Sequence, residues 1–592
     1  MLSFDQIVVF IVLLFILISL YREILGPAFT FMVGVISLGV MGVLTPSEIL
    51  SGFSNEQVAV VILLLVIGDI IKRTAVVELI FDRFFRYARS YKGFLSRMMI
   101  LISGFSAFLN NTPLVAVMIP YVHSWCRRNN ISPSKFMMPL SYAAILGGCA
   151  TLIGTSTNLI VNGLVVEQTI SPDLEELKIF DFVAVGLPMI IIGYLYIMFF
   201  GHRLLPDKPD LITAFSTSKR EYLIEAKIKD KSQLIGKTVE EARLRGQPGF
   251  YLMEIWRRGF KITEFNANLL LDKGDVLVFA GDTQVIADMI NSDSGLSIPE
   301  AGLLANRTRT ELVEVVVSQN SNLINNTARS TNFRSRYDAA ILSVHRNGEM
   351  LKGKAGDTML KAGDVLLLYT GERFVASSTQ TDDFYFISRV REILKIEWWK
   401  NGILLGGLMT AILLSAIQVV PLFISLLVIL VASMAMRLTT PRDIPKSIDY
   451  NLAIIIVLSL ALGTAMLKSG AADLVARGII NLFSPLGKIG ILTGIFLITS
   501  VLAAYITSKA AAAIIFPISV ATAVTLDLNP VPFVLVVAYG AAANFMTPVG
   551  FQTNLMVYGP GGYSFKDFFR VGAPLTLLYM ITAVIILSVI YF

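Results

Sequence analysis

The sequence predicts an α-helical polytopic membrane protein with inverted repeats and re-entrant hairpins, and with α+β modules inserted between its two halves. Hydrophobic residues make up 55% of the 592 residues and charged residues only 16%, whereas soluble domains average about 45–50% apolar and about 25% charged residues. The N-terminal and C-terminal parts of the chain repeat one another. Between them, roughly from 204 to 395, long apolar runs give way to short β-like runs and charged turns.

The membrane spans are predicted from apolar runs, because a helix needs about 20 apolar residues to cross the lipid bilayer. Candidate runs lie at roughly 5–22, 26–45, 55–72, 134–150, 183–203, 398–418, 420–437, 450–467, 530–545 and 570–592. Basic residues cluster beside these runs, where Lys and Arg mark the cytoplasmic side. The net charge of +6 therefore indicates membrane topology, and no nucleic-acid partner is expected.

The two membrane halves repeat in one register. GPAFTFMVGVISLGVMGVLTP (26–46) matches VPLFISLLVILVASMAMRLTTP (420–441), NNTPLVAVMIP (110–120) matches TSKAAAAIIFP (507–517), and GTSTNLIV (154–161) matches GFQTNLMV (550–557). Every match is offset by 394 to 397 residues, so the similarity is an internal repeat and not chance.

Charge asymmetry predicts that the repeats are inverted in the membrane. Seven basic residues lie between 72 and 97, whereas the equivalent stretch 468–488 contains three. The loop before this stretch has the reverse bias. Such inverted halves are typical of secondary transporters, and an odd number of spans before 204 places the insert in the cytoplasm.

The insert is itself duplicated. LxxGDVL occurs at 271–277 and again at 360–366, and each unit predicts strands joined by a Gly-Asp turn. The expected domains are a first membrane repeat (1–203), a first module (204–300), a second module (301–395) and a second, inverted membrane repeat (396–592).

Polar tracts interrupt each membrane half where a plain helix would be apolar. The first half contains Asn110-Asn111-Thr112-Pro113 and Gly154-Thr155-Ser156-Thr157-Asn158, and the second half contains tracts at 507–509 and 547–554. Pro113 favours the start of a new helix, and the stretch 98–109 before it is too short to cross alone. We therefore expect a re-entrant hairpin whose tip binds ions: exposed amides favour an anion, and carbonyl and hydroxyl oxygens favour a cation.

These tracts resemble those of the divalent anion:sodium symporters, in the bacterial and algal branch with modules between the halves. The resemblance implies a sodium site in each half, a small anion between the tips, elevator-type motion and a homodimer. The implied substrate-binding residues are Asn110, Asn111, Thr112, Thr157, Asn158, Thr507, Ser508, Lys509, Thr553 and Asn554. The implied Na⁺ ligands are Asn111, Thr112, Gly154, Thr155, Ser156, Ser508 and Gly550. The modules resemble the regulatory RCK_C-type units of potassium-conductance proteins, which implies a nucleotide or other small ligand.

Lys509 departs from the family pattern, because it aligns with Thr112 where the family has Asn or Thr. A cation at membrane depth is costly and usually functional. Lys509 replaces the second sodium, contacts the anion directly, or extends to the membrane surface. The sequence leaves these three interpretations open.

The expected function is cation-coupled uptake of a divalent anion across a bacterial-type inner membrane, with sulfate the first choice and a dicarboxylate the second. Sodium and proton coupling both remain open. No complete GxxxxGK[ST] loop occurs, which excludes an ATP-driven pump, and no enzyme activity is expected. Two other classes stay under consideration: a ligand-gated channel, although no TVGYG filter is present, and a non-transporting nutrient sensor.

Overall fold

The computed structural model describes most of both membrane halves and parts of the insert. The described residues are 2–22, 24–73, 81, 83–85, 90–168, 170–172, 174–208, 223–242, 244, 250–258, 260–262, 269–281, 295–297, 312–319, 321–346, 349–351, 355–370, 374–378, 381, 383–387 and 398–592. The predicted domain boundaries near 204, 300 and 395 adjoin or lie in segments outside these residues, and so does much of the basic segment 72–97.

The first membrane half is a series of helices. They are Phe4–Tyr21, Pro27–Val40, Pro46–Leu50, Glu56–Arg73, Tyr91–Ser106, Asn111–Asn129, Met137–Gly148, Ser156–Glu167 and Val183–Leu204. The second half follows the same plan with Trp398–Ala416, Leu422–Ala435, Ile444–Ser447, Tyr450–Lys468, Ala471–Phe483, Gly487–Tyr505, Ser508–Thr525, Val531–Ala542, Gln552–Tyr558 and Phe565–Tyr591.

Every predicted span coincides with a helix, although the helices at 134–150 and 530–545 have only 12 residues each. Two segments that are long and apolar enough to cross, Ala471–Tyr505 and Ser508–Thr525, were not predicted. Within the described residues, six helices are long and apolar enough to cross a membrane, or seven if the bent pair Pro46–Ser54 and Glu56–Ile71 forms one span. Within the stretch 98–109, expected to be short, residues 98–106 are the latter part of the 16-residue helix Tyr91–Ser106. That helix begins earlier because the Ser90 hydroxyl accepts a hydrogen bond from the Gly93 amide at its N-terminus (3.2 Å).

The insert forms two small antiparallel sheets of equal topology. The first contains β1 (Leu223–Ile228), β2 (Phe250–Arg257), β3 (Phe260–Ile262), β4 (Val276–Gly281) and β5 (Leu296–Ser297) in the order β3-β2-β4-β1-β5. The second contains β6 (Leu312–Val317), β7 (Ala339–Arg346), β8 (Glu349–Met350), β9 (Val365–Thr370) and β10 (Phe384–Phe386) in the order β10-β6-β9-β7-β8. Short helices at Phe333–Tyr337 and Phe374–Ser378 complete the second unit.

The LxxGDVL repeat is explained by a buried ion pair. Arg257 donates two hydrogen bonds to Asp275 (2.9 and 2.8 Å), and Arg346 donates two to Asp364 (2.7 and 2.7 Å). Hydrogen bonding to these carboxylates raises the pKa of Arg257 and Arg346. Each aspartate therefore fixes its own sheet, which is a structural role for the repeated motif.

Candidate functional site

Four helix interruptions contain the candidate residues. We name them the first tip (107–112), the first break (149–158), the second tip (506–509) and the second break (543–554). Tip and break of one half lie next to each other, and three helices of eight or more residues begin in them, at Asn111, Ser156 and Ser508. Helix N-termini present free backbone amides, which favour anions.

In the first half, Asn111 ties the tip to the break. Its side chain is buried, with 1% exposure. The amide nitrogen lies 3.2 Å from the carbonyl oxygens of Ala144 and Gly154 and donates to both, and the same side chain meets Ser106 Oγ at 2.5 Å. The first residue of the Asn111–Asn129 helix thus holds the glycine at which the next span is interrupted.

The second half repeats this link with a smaller side chain. Ser508 Oγ donates to the Gly550 carbonyl oxygen at 3.1 Å. Ser508 and Gly550 are the repeat equivalents of Asn111 and Gly154. The two predicted tips are therefore built alike.

Each break is stabilised by the same internal hydrogen bonds. Asn158 Nδ2 donates to the Thr151 carbonyl (2.9 Å), and the Gly154 amide donates to Thr151 Oγ1 (3.2 Å). The equivalent bonds in the second half are Asn554 Nδ2 to the Thr547 carbonyl (3.1 Å) and the Gly550 amide to Thr547 Oγ1 (3.2 Å). The amide nitrogens of both asparagines thus hold the interrupted backbone.

The two breaks differ in which oxygens are free. Among the described residues, no hydrogen bond engages the hydroxyls of Thr155, Ser156 and Thr157 or the side-chain oxygen of Asn158. In the second break, the Ser141 hydroxyl bonds to Thr553 Oγ1 (2.9 Å) and Asn554 Oδ1 (2.7 Å). Polar oxygens are thus available in the first break and already satisfied in the second.

The first-break oxygens fit a hard monovalent cation. The described part of the chain contains no group of three His, Cys, Asp or Glu residues that could hold a metal. A cation here would be bound by neutral hydroxyl, amide and carbonyl oxygens, the donor set that interrupted transporter helices offer to Na⁺.

The second break contains a residue that sequence reasoning missed. Asn544 is fully buried, and its Nδ2 has no hydrogen-bond partner in the described part of the protein. Its amide packs on Gly550. The repeat equivalent of Asn544 is Gly148, where an added Cβ would lie 2.6 Å from the nearest atom of the Asn111 side-chain amide. The buried amide side chain beside the interrupted glycine is thus supplied by the tip (Asn111) in the first half and by the break (Asn544) in the second.

The halves meet at the site. Thr112 Oγ1 donates to Gln552 Oε1 at 3.1 Å, and the Ser156–Glu167 helix packs on the Ser508–Thr525 helix. Gln552 was not predicted, although it is the repeat equivalent of Ser156 and could have been found from that alignment.

The remaining candidates have separate positions. Asn110 lines an apolar crevice together with Gly68, Phe108 and Ser156. Thr507 caps its helix by accepting from the Ala510 amide at 3.2 Å. Lys509 is half-buried and makes no hydrogen bond or ion pair with the described residues.

Family comparisons match both parts of the architecture. A model described as citrate transporter matches residues 10–238 and 409–592, which together are more than half of the chain. A model described as TrkA-C domain matches 223–292 and 312–373, that is, the two duplicated units.

Two relatives match nearly the whole chain, and a third matches a little more than half of it. A Chlamydomonas reinhardtii protein whose name describes it as a sulfur deprivation response regulator is 35% identical, over 93% of this chain and 96% of its own length. An uncharacterized transporter of Synechocystis is 30% identical, over 98% and 96%. Sodium/sulfate cotransporter 1 of Chlamydomonas reinhardtii is 31% identical over 58% of this chain and 41% of its own length.

The predicted resemblance is confirmed, and with it the prediction that the protein is not an enzyme. The chain is a multi-pass membrane protein that belongs to the citrate transporter family, of the divalent anion:sodium symporter type, with two TrkA-C domains between its membrane halves.

Proposed function

We propose that this chain is a sodium-coupled secondary active transporter that takes up sulfate by an elevator-type mechanism. The observation on which the proposal rests is the unengaged oxygen set of the first break beside the N-termini of the Asn111–Asn129 and Ser156–Glu167 helices. The oxygens suit Na⁺, and the neighbouring backbone amides suit an anion.

Sulfate is favoured over a dicarboxylate by the donors around the site. The tips and breaks contain hydroxyls, amides and a single cation, Lys509, and no arginine. Arginine pairs are the usual clamp for carboxylates because the guanidinium binds them with two hydrogen bonds. The names of the sodium/sulfate cotransporter relatives agree with this choice.

The proposal includes the architecture expected from the sequence. The membrane repeats 1–203 and 396–592 are inverted, and each contains a re-entrant hairpin that ends at its tip. The TrkA-C domains, 204–300 and 301–395, are cytoplasmic and bind a nucleotide. The protein is a homodimer of the inner membrane, in which the hairpins move with the anion against a dimeric scaffold.

The sodium site is complete in the first half and altered in the second. Asn111, Gly154, Thr155 and Ser156 would surround the first ion. In the second half Thr553 and Asn554 are engaged by Ser141, and Lys509 supplies a fixed positive charge in place of an ion.

Labelled sulfate uptake into proteoliposomes tests this function. The vesicles are prepared with an inward sodium gradient, an inward proton gradient or neither. We expect accumulation under sodium alone, with no competition by succinate. Competition by succinate would instead support the dicarboxylate, and accumulation under protons alone would overturn sodium coupling.

A sensor is the second candidate, favoured by one observation: the relative named for a sulfur deprivation response is 35% identical over nearly the whole chain. A sensor would bind labelled sulfate at equilibrium but show no flux under any gradient. Binding and uptake measured on one preparation therefore separate the two functions.

A further inference from the structure

The second TrkA-C domain is bound directly to the transport site. Gln552 Nε2 donates to the Tyr385 hydroxyl at 2.7 Å, and Ser318 Oγ donates to the same hydroxyl at 3.1 Å. Gln552 Oε1 accepts from Thr112 Oγ1 at 3.1 Å. One line of hydrogen bonds thus runs from Ser318, just after β6, through Tyr385 of β10 to the second break and the first tip.

Apolar packing supports the same contact. Val316, Val365 and Ile387 of the second domain belong to one continuous core with the membrane helices. A Cβ on Gly363, in the LxxGDVL turn, would lie 2.7 Å from Leu555 Cδ1, whereas Gly274, its equivalent in the first domain, has open space around it. The contact is therefore specific to the second domain and not a general property of the motif.

Tyr385 controls the position of Gln552. A primary amide has one donor end and one acceptor end. When Nε2 is held by Tyr385, Oε1 is directed to Thr112, and the tip and the opposite break are held together. If Tyr385 leaves, the Nε2 end of the amide loses its partner, and Oε1 is no longer held in the direction of Thr112.

We propose that Tyr385 is a positioning residue for the transport site: docking of the second TrkA-C domain fixes Gln552 on Thr112 and closes the site, and undocking opens it. The inference rests on the proposed function for the identity of the anion only. A ligand of the domain would act by binding the docked and undocked states with different affinities, since equal affinities shift nothing.

A disulfide can lock the docked state. The Cβ position on Gly559 lies 3.7 Å from Val365 Cβ, close to the mean Cβ separation of about 3.8 Å in disulfides. The lock is Val365→Cys with Gly559→Cys, in a chain whose buried Cys126 and Cys149 are replaced by Ala. The matched control is Val276→Cys with Gly559→Cys, because Val276 is the first-domain equivalent of Val365.

We expect the oxidised lock to form, as shown by mass spectrometry of the linked peptides, and the control pair to stay reduced. Sulfate uptake should fall at least tenfold on oxidation and return with reductant. Equal uptake in the oxidised and reduced lock would overturn the closing role, and failure of the lock to form would overturn docking.

Tyr385→Phe distinguishes positioning from mere support of the fold. Loss of one hydrogen bond shifts the docking equilibrium by about fivefold, so the apparent KM for the anion should fall about fivefold with kcat nearly unchanged. A purely structural role predicts an unchanged or raised KM. Tyr337→Phe is the control, because Tyr337 donates to Asp383 within the domain (2.7 Å).

The docking experiments can be interpreted even if the protein does not transport sulfate. If the reduced chain takes up no sulfate, the proposed function fails, while disulfide formation and its slowing by Tyr385→Phe still report docking. Equilibrium binding of labelled sulfate, succinate and citrate to the oxidised and reduced lock then tests closure. Weaker binding when oxidised supports it, and equal binding of every anion contradicts it.

Discussion

At the residue scale, two threonines of the first break have opposite tasks. Thr151 Oγ1 donates to the Ala107 carbonyl and accepts from the Gly154 amide, so it holds the backbone. Thr155 is the N-cap residue of the helix that begins at Ser156, but its side chain does not cap that helix. Its hydroxyl forms no hydrogen bond with the described residues. The first hydroxyl is structural, and the second is available to an ion.

Replacement of each threonine by the isosteric valine should separate these tasks. Thr155→Val should raise the sodium concentration for half-maximal uptake about tenfold with little change in the thermal midpoint. Thr151→Val should cost about 1–3 kcal/mol of stability because a buried amide and carbonyl lose their partner. Sodium titrations of uptake and thermal unfolding check both. A Thr155→Val protein with unchanged sodium dependence would exclude this hydroxyl as a ligand.

The buried amide side chain has different positions in the two halves, so one substitution should rescue the stability lost by another. Gly148→Asn should lower stability by about 1–3 kcal/mol, because the new side chain overlaps the Asn111 amide. Adding Asn111→Ser reproduces the Ser508 and Asn544 pair of the second half and should recover most of the loss. Thermal unfolding of the two single variants and the double variant measures the coupling. If the stability losses of the two single variants simply add in the double variant, the side chains at positions 148 and 111 do not compete for the same space.

At the element scale, local signals predicted most of the helices and both kinds of interruption. Proline, glycine and polar runs determine helix ends through nearby backbone, so tips and breaks could be placed from the sequence. The hydrogen bonds of Ser141 and Gln552 could not be predicted, because their partners lie hundreds of residues away along the chain. The longer helix before the first tip was also missed, since the Ser90 cap lies within the basic segment and outside the apolar run.

The sheet of the second TrkA-C domain contains a buried acid with a directional pH effect. Burial opposes ionisation of Asp383, but hydrogen bonds from Tyr337, Ser321 and the Asn322 amide outweigh it and lower the pKa of this carboxyl. A lowered folded-state pKa stabilises the domain above the unfolded value of about 3.9. This stability is lost as the pH falls through the folded value.

Asp383→Asn should therefore lower stability at pH 7 and flatten its dependence on pH in the acid range. Hydrogen exchange of β6 and β10 peptides between pH 7 and pH 3 provides the measurement on the intact chain, after correction for intrinsic exchange rates. Exposed Asp357, which pairs with Arg329 at 3.2 Å, offers Asp357→Asn as a control with little effect. An acid response that is the same in both variants would argue against this role of Asp383.

At the scale of the whole molecule, the two halves share a backbone plan but differ in chemistry. The first break has unengaged oxygens, whereas Thr553 and Asn554 of the second break bond to Ser141, and this break lies near a half-buried lysine. Among the described residues, Gln552 of the second break bonds to the second TrkA-C domain, and no equivalent bond joins that domain to the first break. The proposed function therefore assigns the two halves unequal roles, an ion site in the first and a regulated contact in the second.

Lys509→Asn should convert this asymmetry into a measurable change of stoichiometry. If the ammonium replaces a sodium ion, removing it creates a need for a second ion, because the anion would otherwise lose a compensating charge. The Hill coefficient for sodium should rise from about one toward two, and transport should change from electrogenic to electroneutral, because a second sodium ion balances the remaining negative charge of the sulfate. Uptake at a series of sodium concentrations and clamped membrane potentials measures both. Lys509→Arg, which keeps the charge, should leave the stoichiometry unchanged and is the control. If Lys509→Asn also leaves the stoichiometry unchanged and only raises the KM for sulfate, the lysine contacts the anion and does not replace a sodium ion.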